Sequence, residues 1–479
     1  MVTDIASPVE APTAAIADFV VNMQFRDIPR FVVVSACQCV IDSVANSIGG
    51  AALEPGRIVV DYISAMGGAR ESSILATGLR VPSALAAFVN SHLVNVLDFD
   101  DTFEYIAHPG ATAIPPALAV AERVHASGEA LLTAIVAAYE VSLRIGLAIQ
   151  PSAQRHRDVF GLGTWQTFGA VTAAAKLLGL DADAVRHAFG LAGSVAPVPH
   201  CRKLGLEREE RPFAWGKNNY HYASLAGVTA ADLASRGFLG NRFVLDGPHG
   251  FWRMAASDQC DWRQFTAGLG EDWLLPRTSM KPYAGCRWTH SSIDVALRLA
   301  DRFPPDQIRH IQVFTFYEGH VSLSAAHPQN IIDAQFSLPH LLALCFLGRS
   351  PDRGLREGDL TDPMVRALAT RIRVIEDPAF TEAYHLRKVT PSRLIVELED
   401  GAILEEYCEV PRGAPTDPVS PEETQAKFIS LATPLLGTRR AQRALSGMLA
   451  LDAVADVTAW VRSWAGSGRR GKAGSTAVG

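Results

Sequence analysis

Residues 85–102 read LAAFVNSHLVNVLDFDDT, and His108-Pro109-Gly110 follows shortly after. Leu85, Phe88, Val89, Leu93, Val96 and Leu97 recur at helical spacing, the pattern of a helix with a buried face. That helix runs directly into Asp98, Asp100, Asp101 and Thr102. A helix C-terminus carries partial negative charge and favours cations, so three acids there cost local stability. Departures of this kind concentrate at functional sites. One further helical turn would stack Asp98 on Thr102, bring Asp101 close to that face and leave Asp100 pointing elsewhere. His108 precedes a proline and is expected on a loop. Imidazole titrates near neutrality, which makes His108 the proton-transfer candidate. Asp98 is then either the base itself or the residue that orients His108.

Outward from this stretch, from about 18 to 270, the texture is helical, with segments at 116–126, 129–149, 167–178 and 223–235. Several are alanine-rich on most faces, as expected inside a bundle. Glu140 and Arg144 stand four apart in one of them and read as a structural ion pair. Near Pro276 the texture changes. Residues 307–316 alternate apolar and polar, and 394–398 and 403–407 flank Glu399-Asp400-Gly401-Ala402, a hairpin with an Asp-Gly turn. Helical stretches at 292–301, 335–347 and 362–371 lie among these strands, and helix returns at 421–431 and 440–464. The expected fold is mainly α. A helical-bundle large domain at 12–272 is completed by C-terminal helices at 411–465, with a smaller α+β lid domain at 273–410. The first ten residues read as a loose arm, and the Gly/Arg/Ser-rich stretch 466–479 as a disordered tail.

The chain has 479 residues, 48% of them hydrophobic and 20% charged, an ordinary globular composition. A net charge of −6 argues against non-specific nucleic-acid binding. Any cationic site must therefore be local. The seven cysteines are scattered with no C-x-x-C pair, which speaks against zinc-ribbon and iron–sulfur sites. With no secretory leader read at the start, a reducing, cytoplasmic setting is expected. No segment is expected to supply the roughly 20 apolar residues that span a bilayer. A metal held by His108, Asp98 and Asp101 is conceivable, but no pair has the tight spacing of hydrolytic zinc motifs. The expectation is no metal and no cofactor.

The second unusual stretch is Met280-Lys281-Pro282-Tyr283-Ala284-Gly285-Cys286-Arg287-Trp288-Thr289-His290. Pro282 and Gly285 keep it non-helical, and Thr289 or Ser291 reads as the N-cap of the helix that follows. A helix N-terminus beside Lys281 and Arg287 would receive a carboxylate or phosphate. Both cations are expected as exposed clamps.

These residues resemble the MmgE/PrpD family. The LDFDD…HPG run at 97–110 and 281–290, against the family's K-P-Y-P-C-C-R-x-T-H, carry the resemblance. Further matches are the early helix at 36–50, AYEVSLRI at 138–145, AKLLGL at 175–180, AQFSL at 334–338 and Pro411-Arg412-Gly413, so it covers about 15 to 451. It implies a metal-free lyase or isomerase acting on small polycarboxylates, a helical domain with an α+β lid, a site between them and a homodimer. It also places Asp98, Thr102, His108 and Lys281 on family active-site positions, and Lys217 on a second lysine position with a one-residue offset. His221 stands where glycine is usual, and Ala284-Gly285 replaces Pro-Cys. His340 stands where the decarboxylases carry tyrosine, and Cys286 aligns with their histidine. The expected catalytic set is Asp98, His108, Lys217 and Lys281, and the substrate-binding set Thr102, Arg287, His221, His340 and Cys286. The leading expectation is a cofactor-independent hydro-lyase, 2-methylcitrate dehydratase-like, on a hydroxy-polycarboxylate. An epimerase of a dicarboxylate is the alternative, and a cis-aconitate-type decarboxylase ranks third. The only partner expected besides a second copy is the small carboxylate substrate.

Overall fold

A computed structural model describes residues 11–75, 77–104, 106–201 and 211–465. The expected arm and tail lie outside these residues. Among them the chain forms twenty α-helices and only small sheets, a mainly α fold with a smaller α/β portion. The helical periodicity at 116–178 resolves into Pro109–Val124, Gly128–Ala148 and Leu162–Leu177. Pro109 occupies the first position of its helix, where a missing N–H costs nothing, so that helix begins well ahead of the expected start. Two helices, Arg30–Gly50 and Gly128–Ala148, are long and apolar enough to cross a membrane, contrary to the sequence expectation. Both are packed inside the protein, 72% and 89% buried over their apolar windows, and serve as core helices.

Two hydrophobic cores organise the chain. The first gathers residues from Ile16 to Leu275 and takes up the chain again from Phe428 to Ala465, where the helices Pro421–Leu436, Thr438–Leu449 and Val457–Ala465 return. The second spans Tyr283 to Leu398. Its four-stranded sheet has the order Ile372–Glu376, Ile308–Thr315, Ser392–Leu398, Ile403–Cys408. The first pair is parallel and the other two are antiparallel. The Asp-Gly hairpin forms where expected, pairing Glu397 with Ile403 and Val396 with Leu404, with Gly401 at φ 85°. The parallel strand Ile372–Glu376 was not legible, because five residues at the end of a helix-like stretch carry too little alternation.

The two cores interpenetrate at a few points. Val96, beyond the end of the Ser83–Asn95 helix, packs into the second core, as does Phe213. The Phe213 ring stacks on Phe336 at 4.1 Å, and Arg211 pairs with the buried Asp333. These contacts draw the 211–219 segment onto the lid.

The Glu140–Arg144 pair is structural, as expected. Glu140 accepts backbone N–H bonds from Leu274 and Leu275, both at 2.9 Å. Arg144 donates to the carbonyls of Gly268 (3.0 Å) and Asp272 (2.6 Å). The pair thereby stitches 268–275, the approach to the lid, onto the Gly128–Ala148 helix. Glu140→Ala is expected to cost about 3–5 kcal/mol, because it strands a buried guanidinium. Urea unfolding should show a lower midpoint at unchanged slope. A loss under about 1 kcal/mol would make the pair dispensable.

Candidate active site

The Ser83–Asn95 helix does not continue to Thr102. It ends at Asn95, and Asp98 takes a left-handed conformation, φ 49°. Asp98 and Thr102 therefore do not stack. Thr102 instead exchanges backbone hydrogen bonds with Ser279, at 2.9 and 2.7 Å, tying the acidic loop to the loop that carries Lys281. The acids also avoid the expected electrostatic cost, because each has its own partner.

Asp98, 2% exposed, lies between two lysines. Lys281 Nζ donates to its Oδ1 at 2.6 Å and to its carbonyl at 2.8 Å. Lys217 Nζ lies 3.1 Å from Oδ2. Burial alone would raise the Asp98 pKa, but Lys217 and Lys281 overcome it and hold the carboxylate well below the usual range. Burial also lowers the pKa of Lys217, with Asp98 acting against it and Lys281 with it. Lys217 is fixed further by Gln335, whose Oε1 accepts at 3.0 Å while its Nε2 donates to the Val96 carbonyl at 2.8 Å. Lys281 has 1% exposure, so it is not the exposed loop cation expected.

His108 is the N-cap residue of the Pro109–Val124 helix, at φ −124° and ψ 74°, and its backbone N–H donates to Gln166 Oε1 at 2.9 Å. Its Nδ1 lies 3.1 Å from Asp100 Oδ2. A carboxylate only accepts, so this contact assigns the Nδ1 proton and leaves Nε2 as the free proton acceptor. Asp100, expected to point elsewhere, is thus the residue that orients His108. Asn95 donates to both Asp100 oxygens at 3.1 Å and accepts from Asn218 at 3.1 Å. Asp101 is structural. It accepts from Gly110 N (2.9 Å) and from the Tyr139 hydroxyl (2.7 Å) at the N-terminus of the Pro109–Val124 helix, where an acid is favoured. A Cβ on Gly110 would meet Asp101 Oδ1 at 2.5 Å, so only glycine fits.

The remaining expected residues divide. Cys286 is beside the cluster, its thiol pushed up to about 12 by burial and then by Asp98. His221 lines a small cleft with Lys217, Asn218, His92 and Asn95, its ring 5.2 Å from that of His92. Arg287 is no clamp. Its guanidinium is engaged by the carbonyls of Pro411 and Arg412 and by His290 Nδ1. Thr289 stands at the N-cap of the following helix, as expected, but its hydroxyl donates back to the Cys286 carbonyl at 2.8 Å instead of accepting from the helix. His340 sits in the lid helix Leu338–Phe346. Burial lowers its pKa to about 4, and the charge acting on it is Asp359 rather than any member of the Asp98 cluster. Asp100 belongs to the acidic run but was expected to point away from the site, while nothing in the local sequence of Asn95, Gln335 or Asn218 marks them.

Asp98, Asp100 and His108 also bring ligand atoms within 4.8 Å of one another, with Asp100 where the sequence pointed to Asp101. These donors suit a divalent cation poorly. Both Asp98 oxygens already face ammonium groups, which such an ion would have to displace.

Family models described as the MmgE/PrpD N-terminal domain and the MmgE/PrpD C-terminal domain match residues 14–263 and 283–453. Among curated proteins, the chain is 25% identical to cis-aconitate decarboxylase-like protein oryM of Aspergillus oryzae, over 95% of this chain and 98% of that one. It is 24% identical to cis-aconitate decarboxylase of Aspergillus terreus, over 93% and 94%. The human cis-aconitate decarboxylase is 25% identical over 75% and 74%.

Two outcomes follow from this geometry. Burial, then Asp42, pushes the Asp101 carboxyl up to about 8. The stability it contributes is full below about pH 4 and is lost as the pH rises towards 8. Asp101→Asn removes that titration, so its stability relative to the parent should improve between about pH 5 and 8. A difference that is flat with pH in urea titrations would refute the assignment. Activity should also survive exhaustive chelation. Loss on chelation with recovery on added metal would place a cation among Asp98, Asp100 and His108 after all.

Proposed function

The chain belongs to the MmgE/PrpD family, and from that premise we propose that it is a lyase acting on a small polycarboxylate, with hydro-lyase chemistry. The observation that carries this reading is the pairing of an oriented imidazole with two buried ammonium groups around one carboxylate. Two lysines share the Asp98 carboxylate, so two ammonium groups are held close together in a water-poor site. A substrate carboxylate whose neighbouring carbon is losing a proton gains enolate-like charge, and preorganised cations stabilise it. His108 Nε2 takes the proton from that carbon, with Asp100 holding the imidazolium that results. The electron pair becomes a carbon–carbon double bond as the hydroxyl on the next carbon leaves. Lys217, whose burial loosens its proton, donates to that hydroxyl so that it departs as water.

A second reading is favoured by the relatives named cis-aconitate decarboxylase. In a decarboxylation the carbon–carbon bond breaks, carbon dioxide leaves and the electron pair left on carbon is protonated by the same groups. Epimerisation needs a second base on the opposite face. His340, one of the residues expected to supply it, sits in the helix Leu338–Phe346 with Asp359 as the charge acting on it.

Proton NMR of reactions with 2-methylcitrate, citrate, malate and cis-aconitate separates the readings. The hydroxy-acids should give a new alkene with far-ultraviolet absorbance and no carbon dioxide. His108→Ala should abolish this, and Asp100→Asn should slow it by about 100-fold. Carbon dioxide release from cis-aconitate alone would establish the second reading. Deuterium wash-in with drifting optical rotation and no alkene would overturn both.

A further inference from the structure

The site's two loops meet under one side chain from far along the sequence. Lys427, on the returning helix Pro421–Leu436, has a side chain only 8% exposed although it comes from a helix with an exposed face. Its ammonium donates to Asp42 Oδ1 at 2.6 Å, to the Phe99 carbonyl and to the Lys281 carbonyl at 3.3 Å. It also stands 3.6 Å from the centre of the Phe99 ring. Three donors therefore meet three acceptors, which is the full capacity of an ammonium group. Phe99 separates Asp98 from Asp100, and Lys281 is the partner of Asp98. The two carbonyls thus belong to the two strands of chain whose side chains form the ion pair.

We infer that Lys427 is a positioning residue of the active site, fixing the acidic loop against the Lys281 loop, and that the C-terminal helix is part of the catalytic apparatus. This inference rests on the proposed lyase reading only for its kinetic consequence. The geometric consequence stands alone. Without the ammonium, two carbonyl oxygens and the Asp42 carboxylate face one another in a buried space, and they must move apart or admit water. Asp98 and Lys281 then lose their fixed separation, and so does Asp100, two residues from Asp98. Displacements of about 1 Å in such a constellation can slow chemistry by about 100-fold. Asp42 is pushed up by burial and brought down by Lys427, so each requires the other.

Lys427→Met keeps the unbranched apolar stem of the side chain and removes the ammonium group. Because it leaves Asp42 unpaired, the double variant Asp42→Asn/Lys427→Met is measured beside it, and Lys427→Arg serves as the conservative rescue. Hydrogen exchange of the whole protein, without substrate, should quicken by about tenfold or more in segments 97–104 and 279–286 in both methionine variants, and much less elsewhere. The arginine variant should be intermediate. On any substrate that the parent turns over, kcat should fall by about 10–100-fold while KM changes by less than about threefold. Unchanged exchange in both segments for the folded double variant overturns the positioning role. A parent inactive on every polycarboxylate overturns the lyase reading instead, and the exchange result still decides the role of Lys427.

Discussion

The structure is organised around the requirement that Asp98, Lys217 and Lys281 be buried together. Ions removed from water are costly unless their partners are close and their remaining hydrogen-bonding capacity is filled. Both lysines lie more than a hundred positions along the chain from Asp98, so the carboxylate cannot be satisfied locally. Asp98 is presented by the end of the first core, Lys281 by the loop entering the lid, and Lys217 by a segment whose Phe213 is already lodged in the lid core. The interpenetration of the two cores at Val96 and Phe213 is what brings these charges together. The Thr102–Ser279 bridge ties the acidic loop to the loop of Lys281 beside the same ion cluster.

Around this centre the other buried charges are matched in a way that distinguishes scaffold from chemistry. Glu140 is filled by Arg144 and two backbone N–H groups, and Asp101 by a tyrosine hydroxyl and a helix N-terminus. Both sets are closed, with nothing left for a substrate. Asp98 differs, because two ammonium groups share its single carboxylate. Asp100 differs too, because its imidazole partner keeps one ring nitrogen outside the contact. Reactivity here is the residue of incomplete matching, held in place by neighbours that are matched completely.

This contrast also explains what was legible in the sequence. Helical periodicity, the Asp-Gly hairpin and the change of texture near Pro276 are local signals, and each corresponds to an observed element. The LDFDD…HPG run marked the right loop for the right reason, three acids where a helix end disfavours them. The division of labour among those acids was not legible, because it depends on partners brought in by folding. Asp100 was set aside on the assumption of one more helical turn, and Asp98 at φ 49° ends that assumption. Lys281 and Arg287 read as exposed cations because a loop rich in proline and glycine gives no sign of being covered. Lys427 looked like any lysine on an amphipathic helix. The one hint of it was Asp42, an acid interrupting the apolar Arg30–Gly50 helix with no cation nearby in sequence.

The left-handed turn at Asp98 accounts for how four consecutive residues serve four different parts of the molecule. In a continued helix, 98 and 101 would lie on neighbouring faces and compete for the same partners. Reversing the chain at 98 sends that side chain to the lysines, 100 to its own loop histidine and 101 to the Pro109–Val124 helix. It also sends Phe99 towards the returning C-terminal helix, where it packs with Leu97, Ala284 and Leu431 under the Lys427 ammonium. Aspartate and asparagine tolerate this conformation better than other residues with a Cβ, through short polar side chains that bond locally. An aspartate at 98 thus satisfies two demands at once: it supplies the carboxylate that binds the lysines, and it makes the turn that separates its neighbours. A β-branched or long side chain would fail the second demand even where it met the first, so the backbone and the chemistry select the same residue.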